Sequence, residues 1–201
     1  MRSVLPNTCR MADLESLMSN PLTNSALAAA LVGDPEATSL EALYRRNLAR
    51  LVDKAVLEYQ RARSTVIAQA NELQSPQPSG PKLFMFSIAN ALEDCVLTTN
   101  RAMRLYESLK TGSLSRRIPR LARRALEAHS TCIGNVRDAL EHIDGAIRSG
   151  EVVGSGPVMA AVVEPFDRMQ VGPHTLLLDD LARSLRELHG IARALLDDVS
   201  T

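Results

Sequence analysis

Apolar residues recur at steps of three and four along most of residues 40–198, and breaks rich in proline, glycine and serine divide that pattern into long segments. This period gives each segment, as a helix, one apolar stripe and one polar face. A stripe of that kind is stable only against neighbours. Four such helices with short connections predict an all-α fold, an up-and-down four-helix bundle. Aromatic residues make up only 3% of the chain and Trp is absent, so the core has to be packed from Leu, Ala, Val and Ile. Helix-on-helix packing is the arrangement that suits those side chains.

The first boundary falls near residue 38. Residues 1–38 carry Pro, Asn, Ser and Gly punctuation and one short apolar helical stretch, Ala26–Val32, and read as a loosely attached arm in which Met11 is an alternative first residue. Residues 39–201 form the bundle domain. Thr38-Ser39-Leu40-Glu41 supplies a capping hydroxyl and an acid in the first turn, which starts a helix. That helix is predicted from Leu40 to about Leu73, where Gln74-Ser-Pro-Gln-Pro-Ser-Gly-Pro81 cannot continue it. A second helix is predicted over about Leu83–Lys110. A third runs on to about Ser149, with Pro119 in its first turn and an inward stripe of Ile118, Leu121, Ala125, Ala128, Cys132, Val136, Leu140, Ile143 and Ile147. Val158–Val163 and about Val171–Leu177 are β-prone runs around Pro165 and Gly172-Pro173, and predict a small β-hairpin before the last helix. Asp179-Asp180 then opens that helix, which runs to about Asp198 with Leu181, Leu185, Leu188, Ala192 and Leu195 inward.

Several function classes have no support in the chain. Twenty-three basic residues balance 23 acidic ones, so any nucleic-acid contact must come from a local patch. Cys9, Cys95 and Cys132 are an odd number without CxxC spacing, which argues against a disulfide framework or a zinc site and fits a reducing cytoplasm. No run approaches 18 uninterrupted apolar residues, so neither a membrane span nor a signal peptide is expected. Phosphate-binding glycine loops, nucleophile elbows and His-Glu-x-x-His are all missing from the sequence, and neither a metal nor a cofactor is expected.

The most informative segment is Asn135-Val-Arg137-Asp138-Ala-Leu-Glu141-His142-Ile-Asp144. Arg124–His129, Arg168–His174 and Arg183–His189 have similar spacing. Arg137–His142 differs in its polar follower, Asp138, and in its helical projection. At about 100° per residue, His129 falls within the cluster of Leu140, Val136, Ile143 and Ile147 and reads as core or half-buried. His142 projects to the opposite, wet face near Asp138 and Asn135. Asp138 and His142 stand four residues apart, so the carboxylate is expected to touch and orient the imidazole.

This segment resembles the signature of HEPN domains, all-α bundles found in many bacterial toxins and antiviral ribonucleases. In that family an arginine, usually followed by a polar residue, precedes a histidine by four to six intervening residues, as Arg137, Asp138 and His142 do here. The order of elements over about residues 40–198 looks like the family as well. The resemblance implies a homodimer with a composite cleft at a two-fold interface, metal-independent cleavage of RNA leaving a 2′,3′-cyclic phosphate, and roles in toxicity, stress or phage defence. It also implies a nucleotidyltransferase-type antitoxin as partner. The implied catalytic set is Arg137 on the phosphate, His142 moving protons, and Asp138 orienting or tuning.

The residue types suit that chemistry. A histidine with a pKa of about 6.5 can take the 2′-hydroxyl proton or protonate the leaving oxygen. An arginine fork holds phosphate at fixed charge. Arg137 and His142 sit about 140° apart on an ideal helix, so one copy's pair cannot easily grip one phosphate, whereas two copies can. A solvated helix face with ordinary i,i+4 pairs is the plainer reading of the same residues. Arg116, Arg117, Arg120, Arg123 and Arg124, in a stretch without an acid, are the candidate RNA-binding patch. Their plainer reading is a solvated helix start. Asn90, Glu93, Asp94 and Asn100 on the second helix are further polar candidates. The alternative functions are a non-catalytic helical interaction module that binds a protein or nucleotide and, behind it, a regulatory ligand-binding bundle.

Overall fold

The computed structural model describes residues 9–31, 39–74, 84–110, 118–150, 161–163 and 167–197. Along the chain these form α1 (Glu15–Met18), α2 (Leu22–Leu31), α3 (Leu40–Gln74), α4 (Phe84–Lys110), α5 (Arg120–Glu141), α6 (Ile143–Ser149), β1 (Ala161–Val163), β2 (Arg168–Val171), β3 (His174–Leu177) and α7 (Leu178–Asp197). The fold is mostly helical. α3 packs on α4 and α7, and α5 packs on the same two helices, so four long helices enclose one core. Leu48, Val52, Tyr59, Leu92, Cys95, Leu126, Ile133, Leu181, Leu185 and Leu188 are buried there. Ser39 starts α3 as expected, its hydroxyl accepting the Ala42 N–H at 3.2 Å.

The strands form an antiparallel sheet in the order β1-β2-β3. The hairpin before the last helix is β2–β3, in which Val171 pairs with His174 around Gly172-Pro173. Gly172 supplies the positive φ, 53°, that the first position of such a two-residue turn requires. The run Val171–Leu177 is therefore a strand end, a turn and a strand. Val158–Ala160 and Pro165 of the expected hairpin lie outside the described residues.

Two expectations need correction. The first concerns the arm. Met11, Leu14, Leu22 and Ala26 are buried in the common core, so residues 9–31 belong to the packed body and are not loosely attached. Polar anchors fix their position. Asp13 accepts from the Glu15 N–H at 2.9 Å and from Gln60 Nε2 at 2.8 Å, and pairs with Arg63 at 3.1 Å. Those contacts, led by the Glu15 N–H, hold its carboxyl below the usual range. Asp53 on α3 accepts the Leu22 and Thr23 N–H groups and the Thr23 hydroxyl, capping α2 from a distant part of the chain.

The second correction concerns α5. Leu121, expected to face inward, is 80% exposed, and the buried stripe is Ala122, Leu126, Ile133, Val136, Arg137 and Leu140. This register puts the larger aliphatics Leu126 and Ile133 in the core in place of Ala125 and Ala128. The same helix also stops at Glu141. His142 (φ −107°, ψ 9°) interrupts it, and α6 resumes until Gly150 ends it in the left-handed region at φ 73°. One uninterrupted helix to Ser149 is not what the chain forms.

His189 on α7 lies beneath the arm. Burial pushes its imidazole pKa down, against nearby Asp53 and a hydrogen bond to the Asn20 backbone, and Arg193 adds to the lowering. The neutral ring is thus favoured by folding. Its contribution is fully present above the unfolded pKa of about 6.5 and is lost as pH falls through that value toward the lower folded one. In urea titrations, wild type is expected to lose more stability between about pH 7.5 and about pH 5 than His189→Gln does. Parallel pH curves for the two proteins would contradict this.

Candidate functional site

The α5–α6 junction carries the Arg-polar-x3-His residues. Arg137 occupies an inward position in the α5 stripe, and its carbon stem is packed into the core side of the helix. Its Nη1 donates to Asp138 Oδ1 at 2.6 Å and to Glu141 Oε2 at 2.7 Å. Asp138 and Glu141 are both exposed, so the guanidinium is held near the surface under two carboxylates. The Arg137 Nε is buried without a hydrogen-bond partner among the described residues. A buried arginine stem with a pinned tip is a familiar compromise: methylenes fill the core while the charge stays where water and acids reach it.

His142 is exposed and sits in the turn between α5 and α6. Its backbone N–H still bonds the Asp138 carbonyl at 3.0 Å. Among the described residues no side-chain bond joins Asp138 to His142, and the carboxylate expected to orient the imidazole bonds Arg137. His142 caps the last turn of α5, and its non-helical φ of −107° turns the side chain away from the ideal-helix direction. Glu141, not singled out beforehand as a site residue, is the second partner of Arg137. Its position four residues on was the available signal.

α6 extends the junction. None of its residues is buried, and its principal neighbour is α5. Ile143 and Ala146 are half-buried and Ile147 is half exposed, which leaves an apolar edge beside His142.

The arginine patch is only partly described. Arg116 and Arg117 lie outside the described residues. Arg120 and Arg124 are exposed at the start of α5, and Arg123 is half-buried. No acid stands in the first turn of α5 and Pro119 offers no side-chain cap, so positive charge gathers where the helix dipole is also positive. More than four helical turns at about 3.6 residues per turn separate Arg120 from Arg137, so patch and motif lie toward opposite ends of one helix.

Other candidates fall elsewhere. His129 is half-buried, as expected, with Nδ1 3.8 Å from Asp180 Oδ1. Cys132, one turn on, donates to the Thr175 carbonyl at 3.0 Å, and burial with Asp180 nearby raises its thiol pKa. On α4, burial and the adjacent Asp94 raise the Glu93 carboxyl. Asn100 lines a cavity of about 150 Å³ between α4 and α5 with Met103, Leu126 and Ser130. A larger cavity, about 430 Å³, lies between α1 and α3 at Met18, Leu57 and Arg61. Neither includes Arg137 or His142.

Among the described residues, no group of three or more His, Cys, Asp or Glu is placed to hold a metal ion, and no helix is long and apolar enough to cross a membrane. No protein-family model matches the chain, and neither the curated proteins nor the solved structures give a match.

Proposed function

We propose that this chain is a metal-independent endoribonuclease of HEPN type, an up-and-down four-helix bundle whose site is completed when two copies meet at the α5–α6 junction. The observation that carries the reading is the placement of His142: exposed at a break in the helix, five residues after an arginine whose Nη1 is bonded to two exposed carboxylates. An exposed imidazole can exchange protons with a substrate, and a guanidinium can stabilise the crowded phosphorane. A second copy docked on the apolar edge of α6 would bring a second Arg137–His142 pair to one phosphate. Arg120, Arg123 and Arg124, with Arg116 and Arg117, would attract the RNA backbone. The resemblance places such an enzyme among toxins and stress or phage-defence effectors in the cytoplasm, with a nucleotidyltransferase-type antitoxin as partner.

The test is chemical. Protein purified away from any co-expressed partner is incubated with RNA in EDTA, and the product ends are identified. Cleavage leaving 2′,3′-cyclic phosphate is expected. RNA that stays intact, or products that appear only with added metal, would overturn the reading.

A second reading, a non-catalytic helical interaction module, is favoured by one observation. Arg137 already has both a neighbouring and an i,i+4 carboxylate, and the apolar edge of α6 suits a protein partner as well as a second copy. It predicts a stable complex that is indifferent to substitution of His142.

A further inference from the structure

At the junction one nitrogen of the guanidinium, Nη1, carries both carboxylates. The Arg137 side chain is 10% exposed, whereas those of Asp138 and Glu141 are 58% and 47% exposed. The surface over Arg137 is therefore made of carboxylate, and two negative charges over one positive charge leave the cluster net negative. A phosphate oxygen competes for the Nη1 N–H groups, so a phosphate that takes both tips of the arginine fork has to displace an acid.

Glu141 is the acid poised to leave. It is the last residue of α5, and no basic side chain occupies that last turn. A carboxylate there faces the negative end of the helix dipole, an unfavourable position offset by its bond to Arg137. The backbone beside it is already non-helical at His142. Arg137 also keeps one buried Nε without a hydrogen-bond partner among the described residues, so its present pose leaves a donor unsatisfied. A pose turned toward a phosphate would engage that donor.

We propose that Glu141 is a carboxylate latch on Arg137: it occupies Nη1 in the unliganded chain and yields it when a phosphate of an RNA backbone arrives and takes both tips of the fork. This rests on the ribonuclease reading for the identity of the ligand. Glu141 acts through Arg137 and is a positioning residue, not a catalytic one.

The experiment measures binding of a short fluorescent single-stranded RNA by anisotropy at low salt, for wild type, Glu141→Gln, Asp144→Asn, Arg137→Gln and the double variant Arg137→Gln/Glu141→Gln. Asp144→Asn removes the same charge three residues away and reports the general electrostatic gain. Glu141→Gln is expected to bind roughly 1.5- to 5-fold more tightly than wild type, the range of one ion-pair contact at the surface. Asp144→Asn should gain less, and the Glu141 gain should vanish in the double variant. Equal gains in Glu141→Gln and Asp144→Asn, or a gain that survives without Arg137, would overturn the latch. Circular dichroism checks folding. If Glu141→Gln does not fold, Glu141→Asp, whose shorter side chain keeps the charge but loses reach, takes its place with the same expected gain. Cleavage of the RNA is scored separately on gels. Tighter binding without cleavage leaves the latch standing and removes the ribonuclease reading, whereas cleavage without any Glu141 effect removes the latch alone.

Discussion

Leu14→Ala is expected to lower the unfolding free energy by about 2–5 kcal/mol, the usual range for deleting a buried leucine side chain. Leu14 is fully buried, in a cluster with Met11, Leu22 and Ala26 against the long helices. The site cannot easily collapse to fill the gap. Asp13, next in the chain, is tied to Gln60 and Arg63 on α3, and its carbonyl accepts from Arg186 on α7 at 3.3 Å. With the backbone held on both sides, the cavity persists and the cost falls toward the upper part of the range. Equilibrium urea unfolding measures it, with Leu27→Ala as control. Leu27 is 60% exposed on α2 and should change stability by less than about 0.5 kcal/mol. Equal and small effects at both positions would mean that residues 9–31 lie on the body without supporting it.

The contrast between the arm and the long helices shows where sequence is informative. α3, α4 and α7 follow the expected boundaries within a residue or two, because a sustained stripe and explicit punctuation, such as Ser39 and Gln74-Ser-Pro, act within a few residues of where they stand. The arm is fixed by partners far away in sequence. α1 has only four residues, too few to show a period, and the start of α2 is capped by Asp53, about thirty positions on. No local pattern announces such a contact. The α5 stripe departs from the expected register for a different reason. Leu121 and Leu126 belong to two registers that share Val136 and Leu140, and the true one has His129 and Ser130 where the next apolar step after Leu126 would fall and carries Arg137. An arginine counts as surface in any hydrophobicity pattern, although its stem packs as an aliphatic chain does. The motif residues could be picked out by type and spacing. Their geometry could not, because neither Glu141 nor His142 is a helix breaker, and nothing in the sequence marks the interruption between them.

That interruption makes His142→Ala the most decisive substitution in the chain. RNA cleavage is expected to fall by about 100- to 10,000-fold, the contribution of a positioned general acid or base. The fold should be indifferent to it. His142 is exposed and lies in a turn, and its described bonds are backbone ones, so stability should change by no more than about 0.5 kcal/mol. Activity lost at unchanged stability can then be assigned to proton transfer. Arg137→Ala does not separate the two effects as cleanly. It removes a buried stem and leaves Asp138 and Glu141 facing each other without a cation, so lost cleavage there could follow from a distorted junction. Asp138→Asn has the same ambiguity, because Asp138 is bonded to Arg137 and not to the imidazole. The measurement is a single-turnover rate on a labelled RNA, alongside a thermal melt of the same preparation. Wild-type cleavage by folded His142→Ala would remove His142 from the chemistry, and with it the reason for placing a ribonuclease site at this junction. The α6 edge would then be read as a docking surface for a protein partner.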